Sequence, residues 1–412
     1  LLAYLLMPSG VVNAAAGAVL GVTAGTFFAC VIMAVTFIVR KRNTRPDGLT
    51  AQYTSRSTKQ IFIELAKVSV PITIGAAVSS LTNIIDVVMI RQRLQTIPVT
   101  QEIFTTLTEF YGLSSTEAVI GSLMKIKPSE ILYGAYSGFA IPLFNLPPTI
   151  VMSLSMSVVP FISGAFAVKN HAEVKKLSES TLRITMLFSM PCAVGLSVLS
   201  QPILAAIYNN ARAASMLAIL GYAVIFASLV SVSTAMLQAT GHVMIPVRNM
   251  AIGGVVKIVT NYIMIAIPSL NIGGAPISTN LCYFVIAALN IISVQKIMKA
   301  ELSFSGFILR PVLASGIMGI GAYLAYQFSA RFLAVPTLSL SLNFLPQTAP
   351  ITPVGSAMRL KIMIALGIAI CVGALLYAVM VFVLRLVKRE DVLMMPKGEK
   401  LVDVLGKFHL LS

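Results

Sequence analysis

Long apolar segments constrain the fold of this chain more than any other feature. A helix that crosses a bilayer needs about 20 predominantly apolar residues, and the sequence contains nine segments of that kind. They are predicted near residues 14–39, 66–90, 131–166, 182–208, 214–239, 246–268, 272–295, 308–330 and 358–386. Of all residues, 57% are hydrophobic and 11% are charged, whereas soluble domains are roughly 45–50% apolar and 25% charged. The sequence therefore predicts an all-α, polytopic integral membrane helical bundle.

Prolines modify two of these segments. The third is too long for one straight helix, so it is expected to be broken or to extend beyond the bilayer. It contains Pro142, Pro147, Pro148 and Pro160. Pro191 and Pro202 are expected to interrupt the fourth segment, because proline removes a backbone hydrogen bond and bends a helix. Lipid tolerates such helices only where neighbouring helices or water satisfy the freed carbonyl groups, which is typical of helices that line cavities.

The basic residues predict the orientation of the chain. Of the 30 lysines and arginines, 21 lie in one set of alternate connections and eight in the other. Cytoplasmic loops carry the excess of positive charge, so the connection 40–65 and the tail after Arg385 are expected in the cytoplasm. Because the cations bracket helices instead of forming one face, the net charge of +16 indicates orientation, and no nucleic-acid partner is predicted.

Lys257 and Asp86 lie inside apolar segments. An ionisable group in hydrocarbon costs at least about 2.5 kcal/mol on insertion scales, so it usually faces a cavity, a partner or a substrate. Lys257 lies about eleven residues, or about 16 Å at 1.5 Å per residue, from the cytoplasmic start of its helix, which is too deep for easy snorkelling. It is predicted either to contact a substrate in a transport path or to form an ion pair with Asp86.

Further polar residues join this candidate site. Asp86 lies near the external end of its helix, so it is predicted either to meet Arg91 or Arg93 at the interface or to act in gating or cation coupling. Asn83, Asn145, Asn261 and Asn290 are weaker candidates for contact with a substrate head group. For each asparagine, a hydrogen bond between helices is the alternative.

Sequence signals of catalysis and of metal binding are lacking. The connections hold no nucleophile–base arrangement, no glycine loop that would cradle a phosphate and no nucleotide motif, and no histidine lies in a predicted span. The four cysteines show no paired spacing, so neither a disulfide framework nor a zinc site is suggested. We therefore expect no enzymatic activity, no metal site and no cofactor.

Three segments carry a resemblance to a known family. They are VPITIGAAVSSLTNIIDVVMIRQRL (70–94), LYGAYSGFAIPLFNLPPTIVMSLSMSVVPFISGAFA (132–167) and LQATGHVMIPVRNMAIGGVVKIVTNYIMIAIPSLNIGGAPISTNLCYFVIAALN (237–290). They resemble the branch of the multidrug/oligosaccharidyl-lipid/polysaccharide flippase superfamily that contains stage V sporulation protein B and polysaccharide-biosynthesis proteins. That branch is similar to MurJ, the flippase of the peptidoglycan precursor lipid II. The flanking helices match in hydropathy and order.

The resemblance implies fourteen helices, arranged as two lobes of six and a terminal pair. About nine of them are then present, and the chain is expected to be N-terminally truncated. The implied divisions are a remnant of the N-terminal lobe (1–39), a cytoplasmic connection between lobes (40–65), the C-terminal six-helix lobe (66–297), the terminal pair (298–387) and a cytoplasmic tail (388–412).

The implied mechanism is alternating access in a bacterial cytoplasmic membrane. A central cavity would accept the pyrophosphate and sugar head group of an undecaprenyl-linked cell-wall or spore-cortex precursor, while the lipid tail stays in the bilayer. Lys257 fits a pyrophosphate contact, because charge-assisted hydrogen bonds favour a cation there. A monovalent cation or a proton remains a candidate coupling ion. Two alternatives stay open, namely a multidrug and toxin exporter of the same superfamily and a membrane scaffold for wall synthesis that transports nothing.

Overall fold

The computed structural model describes residues 6, 11–43, 57–96, 133–211, 213–267, 270–298, 304–338, 355–384 and 386. These residues are almost entirely helical and include no strand. Seven of the helices are long and apolar enough to cross a membrane. The prediction of an all-α, polytopic membrane bundle is therefore confirmed.

The chain divides into two compact units, Leu1–Glu64 and Leu65–Ser412. The first unit contains helix α1 (Val11–Asn43). Most of its apolar side chains are exposed, and Thr23, Thr26 and Thr36 donate their hydroxyl groups to carbonyl oxygens four residues earlier. This internal bonding satisfies the polar groups of a helix that is apolar enough to lie in lipid.

The second unit contains most of helix α2 (Thr58–Thr96) and all of the described helices that follow it. Helix α2 begins in the first unit and continues into the second. The remaining helices are α3 (Ile141–Ala167), α4 (His171–Val198), α5 (Ser200–Tyr208), α6 (Ala214–Ala239), α7 (Met244–Ile265), α8 (Gly274–Met298), α9 (Phe304–Leu333) and α10 (Ser356–Val383). A π-helical turn (Tyr136–Ala140) precedes α3, and a 3₁₀ turn (Asn271–Gly273) precedes α8.

Two predicted spans lie in helices that fall outside the seven. The segments 66–90 and 246–268 form parts of α2 and α7, which are helical in the structure. Charged and amide side chains lower the apolarity of α7, where Arg248, Lys257 and Asn261 interrupt the hydrophobic sequence. The apolar length of these segments predicted their helical structure correctly.

The predicted fourth span, 182–208, is wrong in its limits. Helix α4 begins at His171, because Asn170 caps it by accepting a hydrogen bond from the Glu173 backbone N–H at 3.2 Å. The helix ends before Leu199, and α5 follows as a separate short helix. Pro202 lies in the first turn of α5, where its missing N–H group is not needed. Pro191 remains inside α4.

The predicted third span is one continuous element. The π-helical turn leads directly into α3, which continues through Pro147, Pro148 and Pro160. The candidate span, Tyr133–Ala167, has 35 residues and is about 52 Å long at 1.5 Å per residue, which exceeds a hydrocarbon core of about 30 Å. The expected extension beyond the bilayer follows from this length.

Helix α6 lies at the centre of the second unit and packs against α3, α4 and α8. Its contact with α4 is close at Gly221, where a Cβ atom would collide with the Ser197 side chain and lie 2.8 Å from the Ala193 carbonyl oxygen. Helix α7 packs on α8, and α9 packs on α4. The core around α6 combines fully buried aliphatic side chains, such as Leu217 and Leu220, with the buried rings of Tyr136 and Phe144.

The terminal pair, α9 and α10, is attached to the rest of this unit by packing and by polar contacts. Tyr377 of α10 donates its hydroxyl to the Leu187 carbonyl of α4 at 2.6 Å. Arg359 donates to the Ala206 and Ile207 carbonyl oxygens, both at 2.9 Å. These carbonyls belong to the last turn of α5, where a cation complements the helix dipole.

Candidate functional site

The pairing of α7 with α8 sets the position of Lys257. The two helices run antiparallel, since Asn249 Nδ2 donates to Asn290 Oδ1 at 2.9 Å and Gly253 contacts Ile286 one turn further along. Continuing this register by one more turn places Lys257 level with Cys282. The lysine therefore lies midway along α7, between its two ends.

Lys257 lies on the buried face of α7. Gly253 and Asn261, one helical turn before and after it, are both buried, and Lys257 itself is half-buried. The opposite face carries Val255 and Val259, whose side chains are 60% and 50% exposed. A lysine on the buried face of a membrane helix is directed at protein instead of lipid, as both sequence interpretations of Lys257 require.

Two of the predicted head-group contacts, Asn145 and Asn261, differ in environment. Asn261 is completely buried, one turn after Lys257 and level with Ser278 of α8. Ser278 is also completely buried, and its neighbour Thr279 shares a hydrogen bond of 3.3 Å with the Tyr136 hydroxyl. Asn261 is thus part of the interior of the unit, whereas Asn145 is exposed on α3.

A buried amide network joins three helices near the start of α7. Asn249 donates to Asn290, and Asn290 Nδ2 donates to Thr234 Oγ1 of α6 at 3.2 Å. Asn249 is 1% exposed and Asn290 is 0% exposed, so neither amide is available to water. The network holds α7 and α8 against α6. These asparagines thus form hydrogen bonds between helices, which was the alternative to contact with a head group.

The exposed half of α3 has one strip that mixes polar and apolar side chains and one that is mostly apolar. At 100° per residue, Thr149 and Ser153 lie within about 80° of Asn145 around the helix axis, and all three are exposed. The apolar strip lies about 100–180° from Asn145. Its exposed members are Leu146, Ile150, Leu154 and Phe161. The strip around Asn145, here called the polar strip, also carries exposed Met152 and Met156 within about 20° of Asn145. Its Thr149 and Ser153 hydroxyl groups are bonded to backbone carbonyls.

Arg93 connects α2 with α7. Its guanidinium carbon lies 3.9 Å from the centre of the Tyr262 ring, and its Nε donates to the Tyr262 carbonyl at 3.4 Å. Near the other end, a Cβ atom on Gly75 would lie 3.1 Å from Val247 of α7. From the first contact to the second, the residue numbers increase in both helices, so α2 and α7 run parallel.

This register places the backbone of Asp86 near the level of Lys257. Asp86 is eleven residues after Gly75 and Lys257 ten after Val247, while Asp86 is seven residues before Arg93 and Lys257 five before Tyr262. The two backbones therefore lie within about 3 Å of each other in height. The side chains of Asn83, Asp86 and Arg91 lie outside the part of the chain that the structure describes. The predicted gating or coupling roles of Asp86 and Arg91, like that of Arg93, stay predictions.

Several polar residues were missed by the sequence analysis. Thr149 and Ser153 follow Asn145 at spacings of four, and this period is a signal that could have identified them. No such pattern marks Asn249, because a single asparagine in an apolar segment does not indicate which residue it bonds to. Among the described residues, no three His, Cys, Asp or Glu side chains come together in a group that could hold a metal.

The fold and the polar interior define a polytopic helical membrane protein with buried amides and a half-buried lysine inside its bundle. The model of one family, the lipid II flippase MurJ, matches residues 1–345. The chain therefore belongs to the lipid II flippase MurJ family, and the resemblance found in the sequence is confirmed.

Two curated relatives come from Bacillus subtilis (strain 168). The uncharacterized membrane protein YabM is 24% identical over 321 residues, which are 78% of this chain and 54% of the relative. Stage V sporulation protein B is 26% identical over 209 residues, which are 50% of this chain and 35% of the relative. The aligned parts thus span about half and about a third of these relatives.

Proposed function

We propose that the protein acts as a flippase, which moves a lipid-linked saccharide precursor across the bacterial cytoplasmic membrane by alternating access. Membership of the MurJ family is the observation that carries this proposal. The substrate class is an undecaprenyl-pyrophosphate-linked precursor of the cell wall or, by similarity to stage V sporulation protein B, of the spore cortex. The process is transport without covalent chemistry.

Lys257 is the proposed contact for the pyrophosphate. Its half-buried position on the inner face of α7 supports this role, since a cation in a low-dielectric site binds phosphate by charge-assisted hydrogen bonds. The competing role is an ion pair with Asp86, which the similar heights of the two backbones support. In either role Lys257 lies on the side of α7 that faces protein.

The polar strip of α3 is the proposed surface for the sugar. Asn145, Thr149 and Ser153 are uncharged and exposed. Neutral sugars present many hydroxyl groups and no charge, so uncharged polar side chains suit them. Asn261, being fully buried, is assigned to helix packing beside Lys257 in this proposal. Asp86, Arg91 and Arg93 are proposed to adjust the contact between α2 and α7 as the cavity changes its opening.

The family match does not favour the two alternatives that the sequence left open. An exporter of amphipathic cations would place a carboxylate at the centre of its cavity, whereas the half-buried charge described in α7 is a lysine. Coupling to a monovalent cation or a proton stays part of the proposal.

Flipping of lipid-linked precursor by Lys257 variants of the complete protein tests the proposal. Lys257→Ala is expected to abolish flipping at near-normal membrane yield if the lysine contacts pyrophosphate, and Lys257→Arg is expected to keep part of it. If the lysine is paired with Asp86, both single neutral variants lower the yield and the double variant restores yield and transport. Wild-type flipping by Lys257→Ala would exclude the pyrophosphate contact.

The proposed orientation places the ends of α6 and α10 on the cytoplasmic side. The 21-to-8 distribution of basic residues supports this proposal. Single cysteines are introduced at the exposed residues His242 and Arg331 in a cysteine-free background. An impermeant thiol reagent is expected to label only the cysteine at Arg331 in intact cells. Labelling only at His242 would mean that the orientation is inverted.

A further inference from the structure

Pro191 leaves one backbone carbonyl of α4 without its helical donor. The proline lies inside α4, and it has no N–H group to donate to the carbonyl four residues earlier. That carbonyl belongs to Leu187. Helix α4 is long and apolar enough to cross a membrane, where a proline is tolerated only if another group satisfies the freed carbonyl.

The hydroxyl group of Tyr377 takes the place of the missing donor. It donates to the Leu187 carbonyl oxygen at 2.6 Å, which is at the short end of the range for O–H···O hydrogen bonds. Tyr377 is half-buried and belongs to α10. The carbonyl that Pro191 frees in α4 is thus bonded by a side chain of the terminal pair.

A second hydroxyl bond between helices shows the difference. Ser197 of α4 donates to the Ala218 carbonyl of α6 at 2.8 Å. The residue four positions after that carbonyl is Tyr222, which lies inside α6 and keeps its N–H group for the helical bond. The serine therefore adds a bond to a carbonyl that already has a helical donor, whereas Tyr377 replaces a helical donor that is absent.

Two glycines of α9 allow the close packing that brings Tyr377 to α4. Gly319 faces α4, where a Cβ atom would collide with Val194, in the turn that follows the proline. Gly321 faces α10, where a Cβ atom would collide with Leu376, the neighbour of Tyr377. Because neither position carries a side chain, α9 approaches both helices at the level of the hydrogen bond.

We propose that Tyr377 is a positioning residue for transport, which completes the backbone of α4 at Pro191 and makes the terminal pair move together with α4. This role rests on the proposed transport function. A helix bends most readily at a proline, because a rung of its hydrogen-bond ladder is missing there. With the Tyr377 hydroxyl in that place, a bend in α4 changes the bond to α10, so the two helices change position together.

The first test asks whether the hydroxyl and the proline depend on each other. Pro191→Ala restores an N–H group that can bond the Leu187 carbonyl, so it should make the tyrosine hydroxyl dispensable. A lost hydrogen bond together with a stranded carbonyl corresponds to about a tenfold change in an equilibrium constant. In equilibrium unfolding of the full chain in mixed micelles, Tyr377→Phe is therefore expected to raise the ratio of unfolded to folded protein about tenfold.

In the Pro191→Ala background, Tyr377→Phe is expected to raise the same ratio less than about twofold, which is the usual error of additivity. The matched control is Tyr326→Phe on α9, which removes a hydroxyl that donates to the Pro336 carbonyl at 3.4 Å. Its effect should be the same in both backgrounds. Equal effects of Tyr377→Phe in the two backgrounds would overturn the replacement of the donor.

The second test measures whether α10 follows α4. Spin labels are attached to cysteines introduced at Ala172 of α4 and Val383 of α10, which are both exposed, after the native cysteines are replaced. Their distance distribution in nanodiscs is expected to be narrow in wild type and in Tyr326→Phe, and several-fold broader in Tyr377→Phe. It should be narrow again in Tyr377→Phe/Pro191→Ala, and flipping of lipid-linked precursor should fall several-fold and recover in the same order.

These measurements separate the positioning role from the proposed function. An unchanged distance distribution in Tyr377→Phe would overturn the joint movement, and wild-type flipping by that variant would overturn the role in transport. If the wild-type protein flips no precursor, the proposed function fails, while the unfolding and spin-label results still decide whether Tyr377 joins the two helices. Should Pro191→Ala not fold, the spin-label comparison of Tyr377→Phe with Tyr326→Phe decides, since equal distributions in these two variants would contradict the proposal.

Discussion

The buried pair Asn249–Asn290 allows a quantitative prediction about how α7 is held. Both side chains are at most 1% exposed and share a hydrogen bond of 2.9 Å. Asn249→Ala removes that bond and leaves Asn290 Oδ1 buried without this donor. A hydrogen bond contributes about 0.5–1.5 kcal/mol, and a stranded buried partner costs about 1–3 kcal/mol. Measured averages in membrane proteins are nearer 0.6 kcal/mol, so we expect a loss of about 1.5 kcal/mol.

Asn290→Ala should be more destabilising, because Asn290 also donates to Thr234. We expect a loss of about 2–3 kcal/mol for this variant. The double variant Asn249→Ala/Asn290→Ala should fall short of the sum of the single losses by about 1 kcal/mol, which is the coupling between the two amides. The cavity that each alanine leaves contributes to the single variants and largely cancels in this coupling term.

The measurement is equilibrium unfolding of the purified chain in mixed detergent micelles with increasing dodecyl sulfate. The control is Asn280→Ala, because Asn280 donates to the Ile219 carbonyl of α6 at 2.9 Å and lies outside the Asn249–Asn290 pair. Asn249→Ala and Asn280→Ala should be additive within about 0.5 kcal/mol. Additivity of Asn249→Ala with Asn290→Ala, within the same error, would refute the argument that the two amides act as one network.

Two further predictions concern helix contacts. Arg359→Gln should destabilise the attachment of the terminal pair by about 1 kcal/mol in the same unfolding assay, since it removes a cation from the end of α5. The control Lys361→Gln, at an exposed residue nearby, should leave the stability unchanged. Equal losses of stability in the two variants would contradict the role given to Arg359. Gly253→Val should lower the folded yield, because the valine side chain would collide with Ile286. Adding Ile286→Ala should recover part of that yield. If the yield does not recover, the contact with Ile286 is not the cause of the loss.

The sequence predicted the helical fold because apolar length is a strong signal in lipid. The predicted helix limits were wrong where polar residues form part of a helix. The first turns of α4 are polar and lie outside the fourth predicted span, yet the Asn170 cap starts the helix at His171. Helix α4 ends before Leu199 because a new helix, α5, starts there with Pro202 in its first turn. A proline in the sequence does not by itself show whether it starts a new helix or bends an existing one.

The candidate site was predicted by residue type more than by arrangement. Lys257 stood out because charge is rare in an apolar segment, and the structure places it on the buried face of α7. The opposite environments of Asn145 and Asn261 could not be predicted, because burial depends on which neighbours each helix face meets. The partner of Asn249 lies 41 residues away on α8, a distance that a local pattern does not encode.

The hydroxyl groups of the polar strip on α3 have a further property that follows from their internal bonding. Thr149 donates to the Asn145 carbonyl at 2.7 Å, and Ser153 donates to the Thr149 carbonyl at 3.3 Å. With their protons directed at the backbone, these oxygens present lone pairs outward. Such oxygens accept hydrogen bonds from O–H and N–H groups, whereas the Asn145 side-chain amide offers both donors and an acceptor. In the proposed function, the internal bonds therefore leave Thr149 and Ser153 to act as acceptors toward the sugar.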